Sequence, residues 1–211
     1  MKTTRIRTAA PHAEPCTYAY PCYSKAVSCL LILVLLCGIL SSAVGCSSNQ
    51  TDTGVSIPAD MKAVASEAAD YDLVVPTSWL VETTVGMTSV YVEDRVRSNV
   101  SVCANEIRGE ISSIEAYWDM FTEQFTASFA DFTMLDTEPV NVTVGSAYED
   151  NATDGYKYRY TATVGDVKYQ WMQVLFIRNA TLYILTYTST ADVYEDHLED
   201  VNDIIAYFSF R

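Results

Sequence analysis

Few side chains in this chain could do covalent or acid–base chemistry. There are two His and six Cys, and 27 Asp and Glu stand against 13 Lys and Arg, for a net charge of −14 over 211 residues. Beyond Cys46 only one imidazole, His197, and one thiol, Cys103, occur. A hydrolytic triad or a Cys–His pair needs an imidazole beside its nucleophile. His197 sits instead among Asp196, Glu199 and Asp200, where a solvated or capping role is expected. Cys103 lies in Ser98 to Ile107, where Val100, Val102 and Ala104 alternate with Ser101, Cys103 and Asn105, which reads as a half-buried strand thiol. A zinc site would need a second His or a Cys cluster. No Gly-rich phosphate loop, Gly-x-Ser-x-Gly elbow or His-Glu-x-x-His is found. Asp150-Asn-Ala-Thr-Asp154-Gly155 begins like a calcium loop, but Ala152 stands at its third position and Thr161 at its twelfth, where a bidentate Glu is required. An ordinary turn leading into a strand at Tyr156 is expected there. No catalytic residue, metal ligand or cofactor is assigned, and the acidity excludes a basic nucleic-acid binder.

Two surfaces could bind without reacting. Asp192, Glu195, Asp196, Glu199, Asp200 and Asp203 fall on one side of a predicted terminal helix. Such a strip keeps a protein soluble, and it could also dock a basic partner or weakly hold divalent cations. Tyr156, Tyr158 and Tyr160 share one face of a predicted strand, with Lys157 and Arg159 on the other. Exposed, the tyrosines would stack on sugars or a peptide; buried, they are core under a helix.

The amino-terminal 45 residues read as an address. Lys2, Arg5, Arg7 and Lys25 precede the apolar run Ala26 to Leu40, and no further Lys or Arg appears until Lys62. Charge on one side only keeps the amino terminus in the cytoplasm and exports the chain beyond the apolar run. The run is too short for the roughly 30 Å hydrocarbon core, which favours a signal peptide. Ser41-Ser42-Ala43-Val44-Gly45-Cys46 resembles the bacterial lipoprotein signal, in which small residues enter a peptidase and the Cys46 thiol takes a diacylglycerol thioether. That resemblance implies a membrane attachment through an amino-terminal lipid on Cys46. The alternative is an uncleaved anchor over Val27 to Val44. Both put the remainder on the extracytoplasmic face of a bacterial cell membrane. Residues 1–45 are thus read as signal peptide, 46–57 as a flexible polar tether and 58–211 as one domain. After the leader, 26 acids face 9 bases, a balance of −17.

The domain's elements follow from periodicity. A short helix is expected over Pro58 to Asp70, with Met61, Val64, Ala65 and Ala68 on one side. Strands are expected over Tyr71 to Val75, Thr88 to Val92, Asn99 to Ile107, Thr133 to Val144, Tyr156 to Val164, Val167 to Ile177 and Thr181 to Thr188. Gly165 at the first central position of Val164 to Val167 suits a type II′ hairpin, and Arg178-Asn179-Ala180 makes another tight reversal. The last three strands should therefore form an antiparallel meander. Ser112 to Glu115 has capping-box spacing, and Ile114, Tyr117, Trp118, Phe121, Phe125 and Phe129 follow at steps of one, three and four. The second helix, Thr190 to Tyr207, puts Tyr194, Leu198, Val201, Ile204 and Ile205 opposite its carboxylates, in line with Phe208 beyond its end. Each helix has one apolar stripe, so each must cover a sheet face. The Asn-x-Ser/Thr sequons at Asn49, Asn99, Asn141, Asn151 and Asn179 are read as chance in a Thr-rich chain.

Several stretches then resemble a known family. Tyr71-Asp-Leu-Val-Val-Pro-Thr-Ser-Trp79 is similar to the aromatic strand and Pro-x-x-Trp that open PsbP-like domains, with Ser78 where Gly often precedes the Trp. Asn99-Val-Ser-Val102 resembles their next core strand, and the helix from Ser112 their crossing helix. Tyr183-Ile-Leu-Thr-Tyr-Thr188, Tyr194, Asn202-Asp-Ile-Ile205 and Ser209-Phe210 resemble their ending. The resemblance, which takes in DcrB-type bacterial lipoproteins, spans about residues 71 to 210. It implies an α+β fold, a twisted antiparallel β-sheet flanked by helices in an α/β/α sandwich, and it transfers no functional residue. Docking to a larger partner unites the better-known members. The expected function is a non-enzymatic, lipid-anchored module that docks a protein or envelope component, the alternative a glycan- or calcium-binding surface lipoprotein.

Overall fold

The computed structural model describes residues 57–64, 69–84, 87–107, 111–144 and 152–211, so the leader, Cys46 and the tether lie outside the described residues. Strands β1 (Met61–Ala63), β2 (Tyr71–Asp72), β3 (Val74–Pro76), β4 (Leu80–Thr84), β5 (Met87–Tyr91) and β6 (Asn99–Glu106) precede helix α1 (Ile114–Ser128). Then come β7 (Thr133–Val144), β8 (Ala152–Val164), β9 (Val167–Arg178), β10 (Thr181–Thr190), a 3-10 turn (Tyr194–His197), α2 (Leu198–Tyr207) and β11 (Ser209–Phe210). Among the described residues one nine-stranded sheet runs β2-β11-β7-β8-β9-β10-β6-β5-β4, and β1 pairs separately with β3. All pairings are antiparallel except β11 with β7.

The β8–β9–β10 meander forms as the turn chemistry dictates. Gly165 takes φ +63 and is the only residue of its turn with positive φ, the II′ pattern, whereas Asn179 (φ +50) and Ala180 (φ +56) both enter the left-handed region, the I′ pattern. In β10 every side chain from Leu182 to Thr190 is buried, so both faces of the sheet centre need a cover. On one face Met172, Val174 and Phe176 of β9, Tyr183, Leu185 and Tyr187 of β10, and Val100 and Val102 of β6 pack with Val201 and Ile204 of α2. On the other, Tyr158, Tyr160 and Trp171 lie under the aromatic stripe of α1, with Trp118 stacked on Tyr158 at 3.8 Å between ring centroids and Phe125 edge-on to Trp171 at 5.6 Å.

Helix α1 starts one residue later than capping-box spacing implies. Ser113, not Ser112, is the extended N-cap (φ −150, ψ 168), and its Oγ accepts from Ala116 N at 3.1 Å. The expected helix at Pro58 to Asp70 is corrected over its first half, where Met61–Ala63 is a strand antiparallel to β3, and its residues 65–68 lie outside the described residues. The four apolar positions there are too few to nucleate a stable helix alone, whereas pairing with β3 buries Met61 and lets Lys62 Nζ donate to the Thr77 and Trp79 carbonyls at 3.0 and 2.7 Å. The expected strand Tyr71 to Val75 is broken at the fully buried Leu73, so β2 and β3 join different sheets. Thr190 belongs to β10 and not to the terminal helix, since its partner Tyr169 and the Ala191 N to Lys168 O bond at 2.9 Å prolong the ladder. Sequence periodicity missed β4, an edge strand whose Leu80 and Val81 are adjacent and both exposed, leaving no alternation to detect.

Ala152 to Gly155, expected as a turn, is already strand. Gly155 is buried in β8, where a Cβ would sit 2.5 Å from the Leu175 carbonyl oxygen and against the Phe176 ring. The strand can therefore pass under Phe176 only if this position lacks a side chain. Gly155→Ala should cost about 1–3 kcal/mol through overpacking, read as a lower urea midpoint with an unchanged m-value.

Candidate functional site

The single imidazole of the domain is engaged differently from what its neighbours in sequence suggest. His197 is the residue preceding α2 and makes no side-chain capping bond. Its Nε2 lies 3.2 Å from Oδ2 of Asp94, in the loop joining β5 to β6, and both side chains are four-fifths buried. Asp94 Oδ1 accepts from the backbone N–H of Val96 and of Ser98, each at 3.0 Å, and Oδ2 accepts from Ser98 Oγ at 2.6 Å. Burial pushes the Asp94 carboxyl up, but the hydrogen bonds from Ser98, Val96 and His197 outweigh it and hold the group below its usual range. The same loop is tied to the segment before α2 by Arg95 Nη2, which donates to Asp192 Oδ2 at 2.7 Å. On the other flank of His197 the Trp79 ring stands edge-on at 6.2 Å, and its Nε1 donates to Asp200 Oδ2 at 3.0 Å.

Ser98, Asp94 and His197 include the residue types of a hydrolytic triad in the wrong order. A relay requires the imidazole between hydroxyl and carboxylate; here the carboxylate lies between, and Ser98 Oγ, fully buried, also meets Ser189 Oγ at 2.8 Å. The cluster fixes a loop to a helix and offers no activated nucleophile. Sequence reading missed Asp94, Ser98 and Ser189, which lie 103, 99 and 8 positions from His197. Trp79, visible as the end of Pro-x-x-Trp, was the one available signal.

This arrangement sorts the acidic strip. Asp192 is used by Arg95 and Thr190, and Asp200 by Trp79. Glu195, Asp196, Glu199 and Asp203 are exposed and form no ion pair among the described residues. Glu199 and Asp203 lie four residues apart on one side of α2, and Glu195 and Asp196 lie on the 3-10 turn that precedes it. Among the described residues no group of three His, Cys, Asp or Glu side chains could hold a metal ion, and no helix is long and apolar enough to cross a membrane.

The tyrosine face divides in a similar way. Tyr158 and Tyr160 are buried, while Tyr156 is 37% exposed at the end of the row. Burial, then the charges of Glu115, Tyr156 and Asp119, push the Tyr158 hydroxyl up to about 12. Tyr160 is ringed by Trp118, Phe121, Phe125, Phe132 and Trp171. On the opposite face Lys157 pairs with Glu138, and Arg159 Nε donates to Asp136 Oδ1 at 2.8 Å. Among the described residues four buried side-chain oxygens have no hydrogen-bond partner: Tyr160 Oη, Gln173 Oε1 and Thr188 Oγ1 on the α1 side, and Tyr194 Oη on the α2 side. Each such group costs about 1–3 kcal/mol.

Because the folded pKa of Asp94 lies below the unfolded value, its contribution to stability is complete above about pH 4 and is lost as acid titrates the folded carboxylate. Asp94→Asn should lower stability near pH 7 by about 1–3 kcal/mol and flatten the loss on acidification below pH 4, measured by urea titrations across pH 2–7.

The architecture also places the chain among known proteins. No curated protein matches it. Among solved structures it is similar to cyanobacterial PsbP (CyanoP) from Synechocystis sp. PCC 6803, at 13% identity and a TM-score of 0.54, over 78% of this chain and 98% of that one. It is also similar to the Ran-binding protein Mog1p of Saccharomyces cerevisiae, at 10% identity and a TM-score of 0.49 over 70% and 94% of the two chains. LpqN of Mycobacterium tuberculosis, involved in cell envelope biogenesis, gives 12% identity and a TM-score of 0.37 over 73% and 80%. With the PsbP family model matching residues 59–210, and a twisted, mostly antiparallel sheet held between α1 and α2, this chain belongs to the PsbP family.

Proposed function

We propose that this protein is a non-enzymatic docking module, lipid-anchored through Cys46 on the extracytoplasmic face of a bacterial cell membrane, whose α2 ridge contacts a basic surface on a protein or envelope component. The observation that carries the reading is the ridge itself. Glu199 and Asp203 of α2, with Glu195 and Asp196 of the 3-10 turn before it, are exposed and form no ion pair among the described residues, while Trp79–Asp200 and Asp94–His197 hold the helix and the residue before it. Like charges at steps of four cost a few tenths of a kcal/mol per pair, and an incoming Lys or Arg surface relieves that repulsion while adding long-range attraction. The absence of an activated nucleophile around His197 supports a binding role, as does membership of the PsbP family.

The tether fits this role. Read as a flexible spacer, the ten polar residues 47–56 would span roughly 16–19 Å, about twice the ~8 Å Debye length at physiological salt. An acidic domain on that leash stands clear of anionic headgroups and keeps its ridge accessible.

Crosslinking on intact membranes should capture a partner with the native chain and lose it, by ten-fold or more, with Glu195→Lys/Glu199→Lys/Asp203→Lys. The melting temperature of that variant should be unchanged or slightly higher; an undiminished capture would remove the ridge from the function. Mass spectrometry of the membrane-bound form should find Cys46 as first residue carrying a diacylglyceryl group, and Cys46→Ala should abolish that species. A chain recovered intact from Met1 would refute processing.

A further inference from the structure

The α1 face of the sheet carries a polar floor that the docking role does not use. Tyr160 of β8, Trp171 of β9 and Thr188 of β10 are cross-strand neighbours in one row, and Tyr158, Gln173, Thr186 and Ser101 form the next row on the same face. Every member of both rows is buried, with Gln173 and Tyr160 at 0% exposure. Gln173 Nε2 donates to Thr186 Oγ1 at a long 3.4 Å, and this leaves Gln173 Oε1, Thr188 Oγ1 and Tyr160 Oη with no partner among the described residues. Three orphaned oxygens on three adjacent strands, that of Tyr160 on a ring in contact with α1, make the burial of this floor costlier than its aromatic contacts alone suggest. Moving the helix off would open the Tyr160 row to water.

The hinge conditions are present. Helix α1 is held to the sheet by ring contacts of Trp118, Phe121 and Phe125 with Tyr158, Tyr160 and Trp171, and among the described residues no ion pair ties it down. By contrast, a side-chain hydrogen bond from Trp79 to Asp200 fastens α2 itself, and His197 Nε2 against Asp94 Oδ2 fastens the residue before it, whereas the bonds from Thr163 N and Oγ1 to Asp131 hold only the loop after α1. We infer that α1 is a displaceable cover, and that lifting it exposes a hydroxyl- and amide-bearing surface flanked by aromatic faces, with no charged side chain in either row. This is a property of the sheet's other side from the acidic ridge, so its failure leaves the docking reading untouched, and the converse holds.

Hydrogen exchange on the full chain in detergent micelles tests it. Amides of α1 between Tyr117 and Phe125 should exchange on the order of 100-fold faster than those in the centre of β10, through an opening short of global unfolding. Tyr160→Phe and Thr188→Val remove two orphaned oxygens at nearly constant shape. Together they should raise the melting temperature and shrink the gap between α1 and β10 by ten-fold or more. Tyr194→Phe, which removes a buried unpartnered hydroxyl on the opposite face, should leave that gap unchanged. Exchange of α1 and β10 at one common rate, or a double variant that lowers the melting temperature or leaves the gap as it was, would overturn the inference.

Discussion

The structure depends on one constraint: β10 has no solvent face. Its residues from Leu182 to Thr190 are all buried, and it is paired along its length with β9 on one side and β6 on the other. A strand in that position forces a cover onto each side of the sheet, and only two helices of the described chain have an apolar stripe to spend. Helix α1 supplies one cover and α2 the other. The remaining oddities come from closing the edges around them. β11 slips between β2 and β7, where Arg211 N donates to the Asp70 carbonyl and Arg211 Nε to Asp72 Oδ1, each at 2.9 Å. The end of the described chain is thereby part of the sheet it covers.

Covering the sheet also decides which acids can face outward. A helix laid with Val201 and Ile204 against Val174, Leu185 and Tyr187 must turn the opposite side to solvent. Asp200 lies at the boundary, near enough to the core to accept from Trp79. Glu199 and Asp203 lie beyond it. The distinction between a structural carboxylate and an available one is therefore a matter of rotation about the helix axis, fixed by packing. The Asp94–His197 contact at the start of the helix makes that rotation hard to change.

Much of this was legible in the sequence because the strongest signals are local. Gly165 at the first central position marked a hairpin, the β-prone runs Val167 to Ile177 and Thr181 to Thr188 marked its neighbouring strands, and the aromatic stripe from Ile114 marked a helix. The failures share a cause. Met61–Ala63 and Leu80–Thr84 are short, and the partners that make them strands are β3 and β5, which no window on their own residues can see. Asp94 could not be linked to His197 by any pattern, because the contact joins a loop to a helix start across the sheet end. The tyrosine row was ambiguous for a related reason: period two says which side chains share a face, and only the position of α1 says that Tyr158 and Tyr160 are covered while Tyr156 stays partly exposed.

The two faces of the sheet are finished to different standards, and the difference is chemical. On the α2 side nearly every polar tip that enters the core finds an acceptor: Tyr187 Oη donates to the Tyr194 carbonyl at 2.8 Å, Tyr183 Oη to Asp70, and Trp79 Nε1 to Asp200. On the α1 side, polar side chains stand where apolar ones of equal size would pack without penalty, as Val for Thr188 or Phe for Tyr160. Stability alone would favour those replacements, since a buried oxygen without a partner loses its hydration and gains nothing. A cover that must sometimes leave needs the reverse, a floor that water or another hydrogen-bonding surface can wet. The side whose helix is fastened by a side-chain hydrogen bond is the one whose outward face carries the acidic ridge, and the side whose helix meets the sheet through stacked rings is the one with the wettable floor. Rigidity and release are thus assigned to opposite faces of one sheet, by the same choice of whether a buried polar group is given a partner.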